Sequence, residues 1–284
     1  MHKLILRGVI TMLAMTASLV YAESITSNKP FEIGVVPYLS ARSLVANYEP
    51  MRVFLEKALG KPVKIYTASG FKQFFLNAKH GDYDLVITAS HFARILQKDY
   101  QYTPLVRFAS VGQASIVTAQ NSPVKTVQDL RQQIIAMPDQ LSLATIVVLS
   151  YLRENGLKPV TDYQLLEVPS FASAILSVQK GEAMAAVTAP GILAQMPKEL
   201  KESVRTVANT GEFLRNIFLT HPRIKNKYAD QIKHALLKFG NETNEGKQFL
   251  ISTNSGAIVP VSTKDMNSLD RYISETKRLL NETP

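Results

Sequence analysis

The sequence predicts an α/β fold in which two sheets face each other across a cleft. Short apolar strands alternate with amphipathic helices, and short connections of this kind favour parallel strand pairing. In one such unit Gly81 ends a helix, 85–88 is a buried strand, and a polar turn opens the next helix. The same design recurs one hundred residues later, at Gly181 and the strand 183–188. Two strand ends of one design indicate two sheets, with ligands expected where the strands end.

The first half of the chain alternates regularly between the two kinds of element. A strand at 31–37 ends in a proline, and apolar residues at helical spacing predict a helix over 42–59 that stops at Gly60. The further predicted elements are, in order, a strand at 63–67, a helix at 71–79, the strand 85–88 with a helix to about residue 97, and strands at 105–108 and 114–119.

The pattern restarts after a capped turn at 126–130. The predicted elements are then a strand at 134–137, a helix at 142–155, a strand at 163–168, a helix at 171–179, the strand 183–188, a short helix at 191–196, and strands at 203–208 and 213–220. The remainder is predicted to be helical, most clearly at 228–239 and 245–253. An offset of one hundred residues aligns Gly81 with Gly181 and Thr88 with Thr188. We interpret this as support for two lobes and not as evidence of duplication.

Composition excludes several classes of protein. A hydrophobic content of 46% with 19% charged residues is typical of a soluble globular protein, and 284 residues suffice for two ordinary domains. The absence of cysteine excludes disulfides and thiolate metal sites. The net charge of +9 comes from scattered residues without a nucleic-acid motif, so we expect no nucleic-acid partner. A positive field of this kind favours the capture of small anions.

The first residues are typical of a secretory signal. Lys3 and Arg7 precede an apolar stretch at 9–19, and Val20-Tyr21-Ala22 fits the small-x-small cleavage pattern. An uncleaved membrane anchor is the alternative, but a short apolar stretch followed by polar residues favours cleavage. The sequence therefore predicts a signal peptide over 1–22 and an exported mature chain with a net charge of +7.

Motifs that would indicate an enzyme are missing from the sequence. It contains no G-x-S-x-G, no Walker A loop, no G-x-G-x-x-G and no H-E-x-x-H. Ser90 and His91 are adjacent, a poor spacing for a proton relay, and no acid partner can be assigned to them. We therefore predict a protein that is not an enzyme and that uses neither cofactor nor metal.

The candidate ligand-binding residues of the first half follow its strands. Tyr38 comes after the first strand, where it either donates a phenolic hydrogen bond or is half-buried packing. Thr88, Ser90 and His91 end the strand at 85–88. Ser90 is a good helix N-cap, and the N–H groups at such a helix start favour an oxyanion. His91 either contacts a ligand or only the backbone near the helix start.

In the second half, Ser142 and Thr145 follow a strand and open a helix. Their hydroxyls either contact a ligand or, in the case of Ser142, simply cap the helix. Thr188 occupies the position that Thr88 holds in the first half. If the two lobes face each other, Thr188 faces the cleft.

Two segments carry a resemblance to a known family. Residues 36–42 (Val-Pro-Tyr-Leu-Ser-Ala-Arg) and 81–94 (Gly-Asp-Tyr-Asp-Leu-Val-Ile-Thr-Ala-Ser-His-Phe-Ala-Arg) resemble the phosphate/phosphonate-type periplasmic solute-binding proteins of ABC transporters. The resemblance implies the type II periplasmic binding protein fold, with two α/β lobes joined by two crossing strands and a ligand cleft between them. Lobe 1 would be 23–110 plus 211–284, and lobe 2 would be 111–210.

By motif match, the resemblance assigns ligand contacts to Tyr38, Ser90 and His91. The second lobe departs from the family pattern. Phosphonate binders typically have a Ser-Thr-Ser-type turn that holds the phosphate, and this chain has Gln140-Leu141-Ser142-Leu143-Ala144-Thr145 instead. Thr188 also stands where aminophosphonate binders place an acidic residue, so the amine of such a ligand would lack a counter-charge there.

The resemblance thus implies a monomeric protein that captures a small anionic solute, such as a phosphonate or phosphate-like oxyanion, for an ABC permease. The alternative is a sensory protein whose closed form signals to a membrane kinase or cyclase. Both functions require the lobes to close on the ligand.

Overall fold

The strands of the chain form two mixed sheets that are joined by a two-stranded ribbon. The computed structural model describes residues 29–38, 41–194 and 196–281. The predicted signal peptide at 1–22 lies outside these residues. Within them, no helix is both long enough and apolar enough to cross a membrane.

Helices and strands alternate along the chain much as the sequence predicts. The strands are β1 (Phe31–Val35), β2 (Val63–Tyr66), β3 (Leu85–Ala89), β4 (Thr103–Phe108), β5 (Val111–Gly112), β6 (Ser115–Ala119), β7 (Ile134–Met137), β8 (Gln164–Glu167), β9 (Ala185–Thr188), β10 (Val204–Asn209), β11 (Phe213–Leu214), β12 (Asn216–Thr220) and β13 (Ile258–Pro260). The helices are α1 (Ala41–Leu59), α2 (Phe71–His80), α3 (Ser90–Tyr100), α4 (Leu143–Glu154), α5 (Phe171–Gln179), α6 (Pro190–Ala194), α7 (Lys198–Glu202), α8 (Asn226–Glu242), α9 (Asn244–Ser252), α10 (Thr263–Asn267) and α11 (Ile273–Leu280), with 3-10 turns at Val127–Leu130 and Asp270–Tyr272.

The first sheet has six strands in the order β13-β4-β12-β3-β1-β2. Strands β1, β2 and β3 are parallel, whereas β12 is antiparallel to both β3 and β4. One face is covered by α1, α8 and α9, and α1 buries Leu44, Tyr48, Met51 and Leu55 there at the spacing expected of a helix packed on a sheet. The other face carries α2 and α3.

The second sheet has five strands in the order β10-β6-β9-β7-β8. Strands β7, β8 and β9 are parallel, and β6 and β10 run antiparallel to their neighbours. Helix α4 packs on one face, and α5 packs on the other through Ala174, Ile175 and Val178. In both sheets the parallel strands therefore end at a single edge.

A short ribbon joins the sheets, because β5 and β11 pair antiparallel where the chain passes between them. The sequence predicts one continuous strand over 213–220, and this prediction is wrong. The chain leaves the ribbon at Arg215 and enters the first sheet as β12. Residues 213–214 therefore belong to the ribbon and residues 216–220 to the first sheet. The lobe boundaries at residues 110 and 210 stay predictions, although the crossings lie in these two regions.

The last part of the chain is not wholly helical, as the sequence predicts it to be. Residues Ile258–Pro260 form β13, which pairs with β4 at the edge of the first sheet. A strand of three residues has too few positions to show an alternating pattern, so periodicity cannot reveal it.

The predicted helix stop at Gly81 is confirmed. Gly81 has a φ of 86° and ends α2, and the N–H groups of Gly81 and Asp82 donate to the carbonyls of Ala78 and Asn77. Glycine adopts this left-handed conformation without steric cost. The stop turns the chain towards β3, which begins four residues later at Leu85.

We predict that Gly34→Ala destabilises the protein by about 1–3 kcal/mol, because strand β1 passes directly under a fixed aromatic ring. A Cβ at Gly34 would lie 2.3 Å from the ring of Tyr83. That ring is buried and stacked on Phe74 at 5.7 Å, so it has little room to move. Urea unfolding measures the loss. Gly70→Ala is the control, since its Cβ would meet no atom within 4 Å, and equal losses in both variants would contradict the prediction.

Candidate ligand-binding site

The parallel strands of the first sheet bring Tyr38 and Thr88 to one edge. Val35 lies beside Ile87, and the N–H of Val36 donates to the carbonyl of Ile87 at 3.0 Å, so the residues that follow β1 and β3 are neighbours. Tyr38 is 37% exposed, and its hydroxyl lies 3.2 Å from that of Tyr48 on α1. Burial raises the pKa of Tyr38, against the lowering effects of Tyr48 and Arg215.

Ser90 does not have the capping role that the sequence predicts. Ala89 is the N-cap of α3, and Ser90 is the first residue of the helix. The Ser90 hydroxyl donates instead to the carbonyl of Leu214 at 2.6 Å. Leu214 belongs to the ribbon, so this hydrogen bond ties the start of α3 to the crossing between the sheets. Proximity in sequence could not reveal an acceptor 124 residues away.

His91, the second residue of α3, is completely buried. Among the described residues no hydrogen bond of good geometry reaches either ring nitrogen, although the Leu141 backbone is near enough to act on the ring electrostatically. Burial lowers its pKa to about 3, and the backbone of Leu141 opposes this shift only in part. The imidazole is therefore neutral at ordinary pH, and it offers one N–H donor and one nitrogen acceptor. It contributes no positive charge to the site.

The second sheet brings its candidate residues to a matching edge. Ala136 of β7 lies beside Ala186 of β9, so the chain after β7 and the end of β9 are neighbours. Ser142 is the N-cap of α4, which confirms the capping interpretation. Its Oγ accepts from the N–H of Thr145 at 3.3 Å and lies 2.8 Å from the Thr145 hydroxyl. Thr188 ends β9 fully buried, and its hydroxyl has no partner within the described part of the chain.

The two edges touch each other through the connection between β7 and α4. The Leu141 backbone interacts with His91, and the Asp139 carboxylate interacts with the N–H of Phe71 at the start of α2. Asp139 also accepts from the N–H of Leu141 at 2.8 Å. Burial raises the pKa of Asp139, and the nearby Glu167 adds to that effect. The sheets are thus in a closed arrangement, with their strand ends in contact.

Among the described residues, five of the eleven buried side-chain polar atoms without a hydrogen-bond partner lie at these strand ends. They are Oγ1 of Thr88, both ring nitrogens of His91, Oγ1 of Thr188 and Nδ2 of Asn216, which begins β12 opposite Ala89. A buried polar atom without a partner costs about 1–3 kcal/mol, so several of them at one edge mark a candidate ligand site. Hydroxyls and an amide, together with the free N–H groups at the start of α3, can donate several hydrogen bonds to an oxyanion.

Sequence reasoning missed Asn216 and Tyr48. Arg215 and Asn216 are the two polar residues in the otherwise apolar run 213–219, and that interruption is a usable signal. The position of Asn216 beside β3 depends on antiparallel pairing between segments more than 120 residues apart, and no local pattern shows it. Tyr48 follows the helical spacing of α1 and is indistinguishable from a core residue in the sequence.

Other features of the surface do not compete with this site. A concavity of about 370 Å³ lies at the opposite edge of the second sheet, where β7 and β9 begin, and it contains none of the unpaired atoms. Among the described residues there is no group of three or more metal-ligating side chains.

Comparison with known proteins agrees with this architecture. A family model of the phosphonate periplasmic substrate-binding proteins of ABC transporters matches residues 33–266. No curated protein matches the chain in sequence.

Among solved structures, a Xanthomonas citri protein bound to ATP is similar at a TM-score of 0.78 and 14% identity, over 89% of this chain and 99% of that one. The binding component of an ABC phosphonate transporter from Pseudomonas aeruginosa is similar at a TM-score of 0.72 and 12% identity, and the match covers 88% of each chain. PhnD1 of Prochlorococcus marinus in complex with methylphosphonate has a TM-score of 0.72 and 16% identity, over 90% of this chain and 100% of that one. At these identities the likeness establishes the fold.

The fold and the closed cleft define a two-lobe binding protein of the type II periplasmic class, as the sequence predicts. The chain belongs to the phosphonate periplasmic substrate-binding proteins of ABC transporters. It is accordingly a periplasmic, non-enzymatic protein that binds a small molecule and works with a membrane permease. The sensory alternative is not favoured.

We predict that His91 makes the protein less stable in mild acid. Because its folded pKa of about 3 lies below the unfolded value of 6.5, the unfolded chain binds the proton more readily between these values. Stability is therefore lost as the pH falls below 6.5, by about 2 kcal/mol at pH 5. Urea unfolding at pH 8 and pH 5 should show this loss in the wild type and a smaller one in His91→Gln.

His234→Gln is the control for this comparison, since it removes an exposed imidazole from α8. It should lose as much stability as the wild type between the two pH values. An equal loss in His91→Gln and the wild type would contradict the assignment of this pH dependence to His91.

Proposed function

We propose that the protein binds a small oxyanion, of the phosphonate or phosphate type, at the contact between its two strand-end edges. The observation that carries the proposal is the cluster of buried polar atoms without partners at Thr88, His91, Thr188 and Asn216. A ligand between the edges would satisfy these atoms and contact both lobes at once. It would therefore stabilise the closed arrangement over an open one.

The chemistry of the cluster suits an anion bound by hydrogen bonds. His91 is neutral in the ligand-free protein, so the attraction comes first from hydroxyl and amide donors and from the start of α3. Such donors act strongly where water is excluded. The positive net charge of the chain would raise the rate at which an anion arrives.

The residues of the site have different roles in this proposal. Thr88, His91, Thr188 and Asn216 would contact the ligand directly, and Tyr38 would close the exposed side of the site through its hydroxyl. Ser90, Ser142 and Thr145 already have partners for their hydroxyls within the chain. These three would position the two helix starts and would contribute backbone N–H groups.

Two further points belong to the proposal. The segment 1–22 would be a signal peptide that is cleaved on export, so that the mature chain begins at Glu23. The mature protein would be a monomer that presents its closed form to the permease. Intact-mass measurement of protein from the periplasm tests both, since it gives the first residue and, under native conditions, the oligomeric state.

Calorimetric titration of protein that has been unfolded and refolded, to release any bound solute, tests the ligand class. The titrants are methylphosphonate, inorganic phosphate, phosphite, methanesulfonate and ATP. We expect saturable binding of at least one small phosphorus oxyanion. Absence of binding by all three would contradict the proposal, and binding of ATP alone would replace the ligand class with a nucleotide.

Thr88→Val should weaken binding of that ligand about tenfold, because it removes one buried hydrogen bond while keeping the shape of the side chain. Thr220→Val is a matched control. The Thr220 hydroxyl is also buried without a partner among the described residues, but it lies opposite Leu85 at the other end of β12. The control should bind as the wild type does, and equal effects of the two substitutions would remove Thr88 from the site.

A further inference from the structure

The C-terminal segment 263–281 lies across both lobes. It contains α10, the 3-10 turn Asp270–Tyr272 and α11, and we call it the C-terminal strap. The strap packs against α3, which follows β3 of the first sheet, and against α4, which follows β7 of the second sheet. These are the two helices whose first residues meet at the closed strand ends. The strap therefore contacts both walls of the cleft from behind.

Ion pairs attach the strap to α3. Arg94 is only 8% exposed, and it binds both carboxylate oxygens of Asp270, at 2.8 Å from Nε and 3.0 Å from Nη2. Nη2 of Arg94 also donates to Oδ1 of Asn267 at 3.0 Å. Further along, Nζ of Lys277 lies 2.8 Å from Oδ2 of Asp99. A two-pronged arginine–carboxylate pair of this kind fixes orientation as well as distance.

A second set of ion pairs attaches the strap to α4. Glu275 on α11 is completely buried, and its carboxylate pairs with Arg153 of α4. Its other oxygen lies 2.6 Å from Nη2 of Arg278 within the strap. Arg271 approaches both carboxylate oxygens of Glu154 on α4, at 2.7 and 2.8 Å.

Apolar contacts join the two sets of ion pairs. Leu269 and Tyr272 of the strap are buried in one cluster with Ile95 of α3 and Leu149 of α4. This cluster contains side chains from both lobes. Parting of the lobes would expose its apolar surface as well as separate the ion pairs.

We propose that the strap is a third connection between the lobes, beside the two strands of the ribbon, and that it holds the cleft closed through Glu275 and Arg153. The strap follows β13, which pairs with β4 of the first sheet, so it moves with that sheet. Opening then separates the strap from α4. Glu275 and Arg153 are positioning residues, since they act on the binding site through the position of α4.

This arrangement has a consequence for affinity. If the strap shifts the equilibrium between open and closed forms towards the closed form, its loss reduces the fraction of protein that is ready to bind. The apparent affinity falls by the same factor. The part about affinity rests on the proposed function, whereas the position of the lobes in the ligand-free protein does not.

Spin-label distances between the lobes test the proposal without any ligand. The chain has no cysteine, so Lys57→Cys on α1 and Gln179→Cys on α5 give two labelling sites, both exposed. In this background we expect Arg153→Met and Glu275→Gln each to shift the distance distribution of the ligand-free protein away from that of the unsubstituted background. For the variants we also expect about threefold to tenfold weaker binding of methylphosphonate.

Arg131→Met is the matched control, because it breaks the Arg131–Asp162 pair inside the second lobe by the same kind of substitution. Arg271→Met breaks the more exposed pair between Arg271 of the strap and Glu154 of α4. If Arg153→Met does not fold, the spin-label distances of Arg271→Met test the proposal in its place. Distributions that match the control in all strap variants would overturn the proposal. A shift in the strap variants supports it even if methylphosphonate does not bind, and that failure would count only against the proposed ligand.

Discussion

The pairing of β12 with both β3 and β4 is the constraint on which the rest of the structure depends. The chain leaves the first sheet after β4, builds the whole second sheet, and returns as β12 next to the strand it left. The strand after which the chain leaves the first sheet, β4, and the strand by which it returns, β12, are therefore neighbours. The link between the two sheets is the short antiparallel pair of β5 and β11. The same return brings Asn216 to the end of β3 and Leu214 within reach of Ser90.

A narrow link of this kind permits motion but also needs fixed geometry. Gly112 lies under the ring of Phe213, where a Cβ would be 2.3 Å from the ring, so the two ribbon strands approach closely. Thr210 binds both the N–H and the carbonyl of Ala114 just outside the ribbon. These contacts fix the path of the chain where the ribbon joins the second sheet.

The sequence predicts the strand–helix units well because their signals are local. Gly81 marks the end of α2, the apolar run that follows marks β3, and equal spacing reveals the corresponding unit near Gly181. The features that the sequence cannot predict depend on contacts between residues far apart in the chain. Ser90 is a residue type that often caps a helix, but its hydroxyl donates to the ribbon instead. The run 213–220 is divided because residues 213–214 belong to the ribbon and residues 216–220 belong to the first sheet.

The site itself shows the same division between local and distant information. Thr88, His91 and Thr188 could be selected from the sequence because each follows a recognisable strand, although their role in binding stays a prediction. Asn216 could not be selected, since only the antiparallel return brings it opposite Ala89 at the end of β3. The neutrality of His91 is likewise a property of complete burial between two lobes, which a residue's own sequence context does not contain.

In the proposed site, the neutral histidine and the strap together would determine the balance between binding and closure. Hydrogen-bond donors such as those of Thr88 and Asn216 must be held in place, and they act at full strength only when the lobes are closed. The strap, which lies outside the cleft, would hold the lobes partly closed before the ligand arrives. The ligand would then have to supply less of the free energy of closure. The buried Glu275, on α11 of the strap, belongs to this element outside the cleft. It pairs with Arg153 of α4, whose N-cap Ser142 is part of the candidate site.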